Sequence, residues 1–130
     1  MPTSELKKIL YVDDEPDIAT IAKLALETVG GFDVSICENG KSALEQIEGL
    51  DPDLVLLDVM MPDMDGPTTL MELRRLPAFK HTPVVFMTAK VQPSEILHYK
   101  ELGAVDVIPK PFDPMALSDQ VRHLWNSVSS

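Results

Sequence analysis

Short apolar runs alternate with segments of helical periodicity along this chain, and the alternation repeats five times. Lys8-Ile9-Leu10-Tyr11-Val12 is a β-prone run. Pro16 then opens a helix, since its fixed φ and missing N–H suit the first helical turn. Ile18, Ile21, Ala22, Ala25 and Val29 follow at helical spacing, and Gly30-Gly31 ends the segment. Phe32 to Cys37 predicts a second strand, and Gly40 to Ile47 a short helix carrying Ala43, Leu44 and Ile47. Leu54-Val55-Leu56-Leu57 is apolar at every position, the pattern of a strand buried on both faces.

The second half repeats the theme. Asp65-Gly66-Pro67 opens a helix with Leu70, Leu73 and Leu76 on one side. Pro83 to Met87 predicts the fourth strand, Pro93 to Leu102 a helix closed by Gly103, and Val105 to Ile108 the fifth strand. Asp113-Pro114 caps a last helix with Leu117, Val121, Leu124 and Val128 in register. Strands alternating with helices imply right-handed crossovers and a parallel sheet covered on both faces. The expectation is a single α/β domain over residues 1–130, with its core at about 8–128: a doubly wound sheet of five strands flanked by five helices.

In such sheets, ligands bind outside the carboxyl ends of the strands. The first strand ends in Asp13-Asp14-Glu15, the third in Asp58, the fourth in Thr88-Ala89 and the fifth in Lys110-Pro111. Each has an ordinary reading when taken alone: a helix cap, a loop carboxylate, a strand-end hydroxyl, a solvated lysine. Their joint placement on one rim carries the signal. If the first and third strands are neighbours, Asp13, Asp14 and Asp58 meet. Three carboxylates in one cleft require a proton or a cation. An all-oxygen set suits Mg²⁺, and one Mg²⁺ plus Lys110 balances three negative charges. A strand-end Asp can also act as a nucleophile that forms an acyl phosphate. Asp58 would then attack, with Asp13 and Asp14 holding metal. Thr88 and Lys110 would receive phosphoryl oxygens, aided by backbone N–H groups at Val59, Met60 and Ala89.

Charge and composition narrow the picture. Basic residues number 11 against 21 acidic ones, a net charge of −10, which argues against direct nucleic-acid binding. No apolar run approaches a membrane-spanning length, and Met1 to Lys8 holds no apolar signal core, so a cytoplasmic location is expected. The single cysteine, Cys37, excludes an internal disulfide framework. At 130 residues the expectation is a stand-alone domain.

Taken together, Asp13-Asp14, Leu54 to Asp58 followed by Met61-Pro62-Asp63-Met64-Asp65-Gly66, then Thr88-Ala89, then Lys110-Pro111-Phe112 resemble the receiver (response-regulator) domain of two-component signalling. The resemblance covers the chain from about Lys8 onward. It implies a flavodoxin-like fold with strand order 2-1-3-4-5. It implies Asp58 as phosphoacceptor, loaded by a histidine kinase or histidine phosphotransfer protein. It implies Mg²⁺ on Asp13, Asp14, Asp58 and the Met60 carbonyl, and phosphoryl contacts from Met60, Thr88, Ala89 and Lys110. A cis bond between Lys110 and Pro111 is implied as well. Kinase docking is expected near Ile18, Pro111 and Phe112, output through the fourth helix, fifth strand and fifth helix to a downstream protein target, and a monomer or weak dimer.

Three positions depart from or tune that pattern. Val107 stands where the family usually has Tyr or Phe, so switching is expected through Thr88 and the fourth helix alone. Met60 and Lys90, two residues after Asp58 and Thr88, occupy the places that set acyl-phosphate lifetime, and Met60 offers no hydrogen bond to an attacking water. Slow self-dephosphorylation is the expectation. An aspartate-nucleophile hydrolase, the nearest rival, needs a second Asp at the Met60 slot. A flavin binder would have its phosphate repelled by Asp13-Asp14-Glu15. Other motif fragments fail: Gly40-Lys41-Ser42 lacks the glycine a phosphate loop needs at Ser35, Met61 breaks the calcium-loop pattern of Asp63, Asp65, Gly66 and Glu72, and Cys37, His81, His98 and His123 lack zinc spacing.

Overall fold

A computed structural model describes residues 5–129; Met1 to Ser4, half of the stretch read for a signal core, and Ser130 lie outside the described residues. The elements run β1 (Lys8–Val12), α1 (Pro16–Thr28), β2 (Asp33–Cys37), α2 (Gly40–Leu50), β3 (Leu54–Asp58), α3 (Gly66–Arg74), a 3₁₀ turn (Pro77–Phe79), β4 (Val84–Thr88), α4 (Pro93–Glu101), β5 (Asp106–Pro109) and α5 (Leu117–Ser129). The five strands are parallel in the order β2-β1-β3-β4-β5, and β1 and β3 are neighbours through Ile9↔Leu54 to Val12↔Leu57. Right-handed crossovers place α1 and α5 on one face and α2, α3 and α4 on the other.

Strand alternation divides the core accordingly. Ile9 and Tyr11 point into one cluster with Ala19, Ala22 and Leu26 of α1 and with Leu117, Val121 and Trp125 of α5. Leu10 and Val12 point into the other, with Ile47, Leu70, Leu73 and Tyr99. Leu54, Leu56 and Leu57 are 0% exposed, as the apolar run of β3 predicted. Full burial of each such side chain contributes about 2–3 kcal/mol, which fixes β3 at the centre of the sheet.

On two helices the expected face is met in part: Ala22 and Ala25 of α1, and Leu117, Val121 and Leu124 of α5, pack inward as expected, and other positions do not. On α1 the buried residues are Ala19, Ala22, Ala25 and Leu26, while Ile21 and Val29 stand 46% exposed and Ile18 is half-buried. The helix lies close to the sheet, so alanines fit beneath it and the branched residues are left at its flank. On α5, Ser118 and Trp125 join Leu117 and Val121 inside, while Val128 is exposed. That helix also starts three residues after Pro114. Asp113 caps a preceding turn instead, its carboxylate accepting from Met115 N–H at 2.9 Å and its carbonyl from Ala116 and Leu117.

Gly66 closes the loop after β3. Its N–H donates to the Val59 carbonyl at 2.9 Å, and a Cβ there would sit 2.6 Å from the Asp58 carbonyl oxygen and 2.9 Å from Val59 Cα. Both obstacles are backbone, so the loop itself must shift. Gly66→Ala is expected to cost about 1–3 kcal/mol. Thermal denaturation checks this, and an unchanged melting temperature would refute the close approach.

Candidate functional site

All four predicted strand ends open onto one rim. Asp13 and Asp58 are buried, and Asp14 is the more exposed of the three acids. One carboxylate oxygen from each of Asp13, Asp14 and Asp58 lies within 4.8 Å of the others. The donor set is entirely oxygen, which suits a hard divalent cation. Beside it is a cleft of about 330 Å³. Asp58, Thr88, Lys110 and Glu15 supply its polar wall, and Ile18, Met60, Ala89 and Pro111 its rim.

Lys110 is the counter-ion. Its Nζ lies 3.1 Å from Asp13 Oδ2, 3.3 Å from Glu15 Oε1 and 3.6 Å from Asp58 Oδ2, with the side chain 14% exposed. Burial acts to lower its pKa, but the hydrogen bond and charge of Asp13, with Asp58 and Glu15, outweigh that and hold it above the ordinary lysine value. The Lys110–Pro111 bond is cis, as the resemblance implied. Pro111 is exposed, whereas Phe112 turns half inward against the first core cluster.

Residues outside the predicted set hold the acids in place. The Tyr11 hydroxyl donates to Asp13 Oδ2 at 3.1 Å. Burial, then the Asp13 charge and this bond, push the phenol far above its usual pKa, so it stays a donor. The alternation of β1 carried this signal, because Tyr11 and Asp13 are two residues apart and share a face. Glu15 occupies the N-cap of α1 but makes no side-chain cap bond. Its carboxylate goes to Lys110, so the plain helix-cap reading of Asp13-Asp14-Glu15 does not describe the site.

One expected donor is unavailable. Val59 N–H donates to the Met87 carbonyl at 3.1 Å, continuing the β3–β4 ladder past Asp58. Met60 N–H instead faces the Asp58 carboxylate. Thr88 Oγ1, buried at the end of β4, accepts from Lys90 N–H at 3.0 Å. The decoy at Gly40-Lys41-Ser42 is simply the start of α2, capped by Asn39, whose side chain accepts from Ser42 N–H.

Asp58 titrates unusually. Burial, then the Asp13 charge, push its carboxyl from an ordinary 3.8 up to about 6, against the opposing pull of Lys110 and Met60 N–H. The folded chain therefore binds the proton more tightly than the unfolded one. Its stability falls as pH rises from about 4 through about 6, and stays lower above that. Without divalent metal, Asp58→Asn is expected to remove this fall and to leave the variant more stable at pH 7, on the order of 2 kcal/mol. Denaturant melts in EDTA at pH 4 and pH 7 check it; a variant less stable than wild type at pH 7 would contradict the electrostatics.

A family model described as response regulator receiver domain matches residues 9–122. Among curated proteins, the chain is 39% identical over 116 residues to the alkaline phosphatase synthesis transcriptional regulatory protein PhoP of Bacillus subtilis, covering 89% of this chain and 47% of that protein. It is also 39% identical to the DNA-binding response regulator MtrA of Mycolicibacterium smegmatis, covering 89% and 49%. The chain thus spans about half the length of these relatives. Among solved structures, the chemotaxis protein CheY4 of Vibrio cholerae superposes with a TM-score of 0.85 at 28% identity, covering 92% of this chain and 99% of that one. The N-terminal domain of a response regulator receiver protein from Methanoculleus marisnigri superposes at 0.74 with 38% identity, covering 92% and 96%. With strand order, cis proline and acidic rim all in agreement, the chain belongs to the response regulator receiver domain family.

Proposed function

We propose that this domain is the phosphoacceptor of a two-component phosphorelay, taking a phosphoryl group onto Asp58 from a histidine kinase or histidine phosphotransfer protein. The observation that carries this reading is the placement of Asp58: buried at the end of β3, 3.6 Å from Lys110 Nζ and clustered with Asp13 and Asp14 at the mouth of an open cleft. An Asp58 carboxylate oxygen attacks phosphorus in line. The bond from phosphorus to the donor's histidine nitrogen breaks, and its electron pair leaves on the imidazole. Asp13, Asp14, Asp58 and the Met60 carbonyl would hold Mg²⁺, whose charge offsets that of the transferring phosphoryl group. Lys110 turns from its carboxylate partners toward a phosphoryl oxygen, while the Thr88 hydroxyl and the N–H groups of Met60 and Ala89 donate to the others. The domain catalyses its own loading and unloading and turns over no external substrate.

Ile18 and Pro111, on the cleft rim, lie where a donor protein would approach, with Phe112 just behind them. The face of α4, β5 and α5 is the surface offered to a downstream protein target, in the cytoplasm and without direct nucleic-acid contact by this domain. Among the described residues no helix is long and apolar enough to cross a membrane. Incubation with acetyl phosphate, followed by intact mass, tests the proposal. One phosphoryl group per chain is expected with Mg²⁺ and none in EDTA; no addition under either condition would refute it. Met60 is 65% exposed and its thioether cannot orient an attacking water. An acyl-phosphate half-life of minutes or longer is expected in a chase after donor removal, and decay within seconds would contradict that.

A further inference from the structure

Among the described residues lining the cleft, only Met60 carries sulfur. It is 65% exposed and stands two residues after Asp58, on the loop that follows β3. A small solute that enters the open cleft therefore meets its thioether beside the acceptor carboxylate. The other sulfurs are placed differently. Met61 and Met87 are buried in the core, and Met64 packs half-buried over Gly40. Cys37 is buried, and that burial holds its thiol above the ordinary pKa despite Ser42, so little reactive thiolate forms. Met71 and Met115 are exposed, but they lie on α3 and ahead of α5, outside the cleft.

A peroxide oxidises a thioether by oxygen transfer. The sulfur lone pair attacks one peroxide oxygen, the O–O bond breaks, and the second oxygen leaves as water once it takes the proton. Sulfur gives up two electrons and the peroxide accepts them. The thioether is a feeble hydrogen-bond acceptor, whereas the sulfoxide carries a polar acceptor oxygen on a flexible side chain. Hydrolysis of an acyl phosphate on Asp58 requires water to attack phosphorus from the open side of the cleft. The bond from phosphorus to the Asp58 oxygen breaks, its electron pair returns to the carboxylate, and a water proton passes to solvent. An acceptor on the cleft wall orients that water.

We propose that Met60 is an oxidation site and that its sulfoxide shortens the life of the acyl phosphate, so that a peroxide discharges the loaded domain. This rests on the phosphoacceptor reading and adds a chemical input to that same site. Met60 belongs to neither core cluster, so the oxidised chain keeps its fold.

Protein treated with dilute hydrogen peroxide, freed of it, and then loaded from acetyl phosphate with Mg²⁺ provides the test. Peptide mass spectrometry is expected to find Met60 oxidised along with Met71 and Met115, ahead of Met61 and Met87. In a chase after donor removal the acyl phosphate is expected to decay about threefold to tenfold faster than in untreated protein, the worth of one hydrogen bond to the attacking water. Met60→Leu, treated alike, is expected to show no change in decay, although Met71 and Met115 still oxidise. Reduction of the oxidised wild type by methionine sulfoxide reductases is expected to restore the original lifetime. A Met60 left intact while Met71 and Met115 oxidise, equal or slower decay after oxidation, the same acceleration in Met60→Leu, or a lifetime that reduction does not restore would each overturn the inference while leaving Asp58 as acceptor. Untreated protein that never loads would overturn the phosphoacceptor reading and this inference with it.

Discussion

Asp58→Asn is expected to bring phosphoryl incorporation from acetyl phosphate down to the level of wild type in EDTA, a loss limited only by detection. The amide has nearly the shape of the carboxylate, so the cleft survives. Lys110 keeps Asp13 at 3.1 Å and Glu15 at 3.3 Å. What disappears is the anionic oxygen that forms the acyl phosphate. The paired expectation of greater stability at pH 7 without metal makes this variant informative in both directions: inactive and more stable, through the loss of one charge. Intact mass measures incorporation. Residual loading at an appreciable rate would place the acceptor on another side chain of the rim.

Lys110→Met should separate two functions of the same cluster. Lys110 lies against three carboxylates, and Asp13 and Asp58 among them belong to the proposed metal site. Removing its charge takes away the one cation that can follow the phosphoryl oxygens, and loading is expected to slow by about 10²–10³-fold, the usual scale for one preorganised transition-state donor. A divalent cation, however, no longer competes with an ammonium for the same oxygens. Its binding is expected to tighten, on the order of thirtyfold, the scale of a unit charge about 4 Å from a divalent ion in a water-like dielectric. Calorimetry with Mg²⁺ and a loading time course measure the two effects separately. Weaker metal binding together with slower loading would mean that Lys110 merely holds the site together.

Much of this was legible in the chain because a parallel sheet sends every strand's carboxyl end to the same edge. Asp13, Asp58, Thr88 and Lys110 each follow a recognisable strand, so their convergence followed from topology. The strand order was not legible in the apolar pattern and came with the family resemblance. Side-chain direction was less legible on the helices. Ile18, Ile21 and Val29 outrank alanine in hydrophobicity, yet α1 buries Ala19 and Ala22, because close packing on a sheet selects small residues. The assignment of Val59 N–H to the phosphoryl group failed for a similar reason: β4 extends its pairing one residue beyond Asp58 and takes that donor. Tyr99 could not be singled out because α4 is nearly all exposed, and its one buried side chain packs against Phe86 in a cluster that Val107 borders, on two other elements.

The most direct test of the acceptor assignment is to locate the acyl phosphate. Protein loaded from acetyl phosphate with Mg²⁺ is reduced with borohydride, which converts an aspartyl phosphate to homoserine, then digested and sequenced by mass spectrometry. The account predicts homoserine at residue 58 and at no other position. Homoserine at residue 13 or 14, or aspartate retained at 58 in protein shown to be loaded, would contradict it.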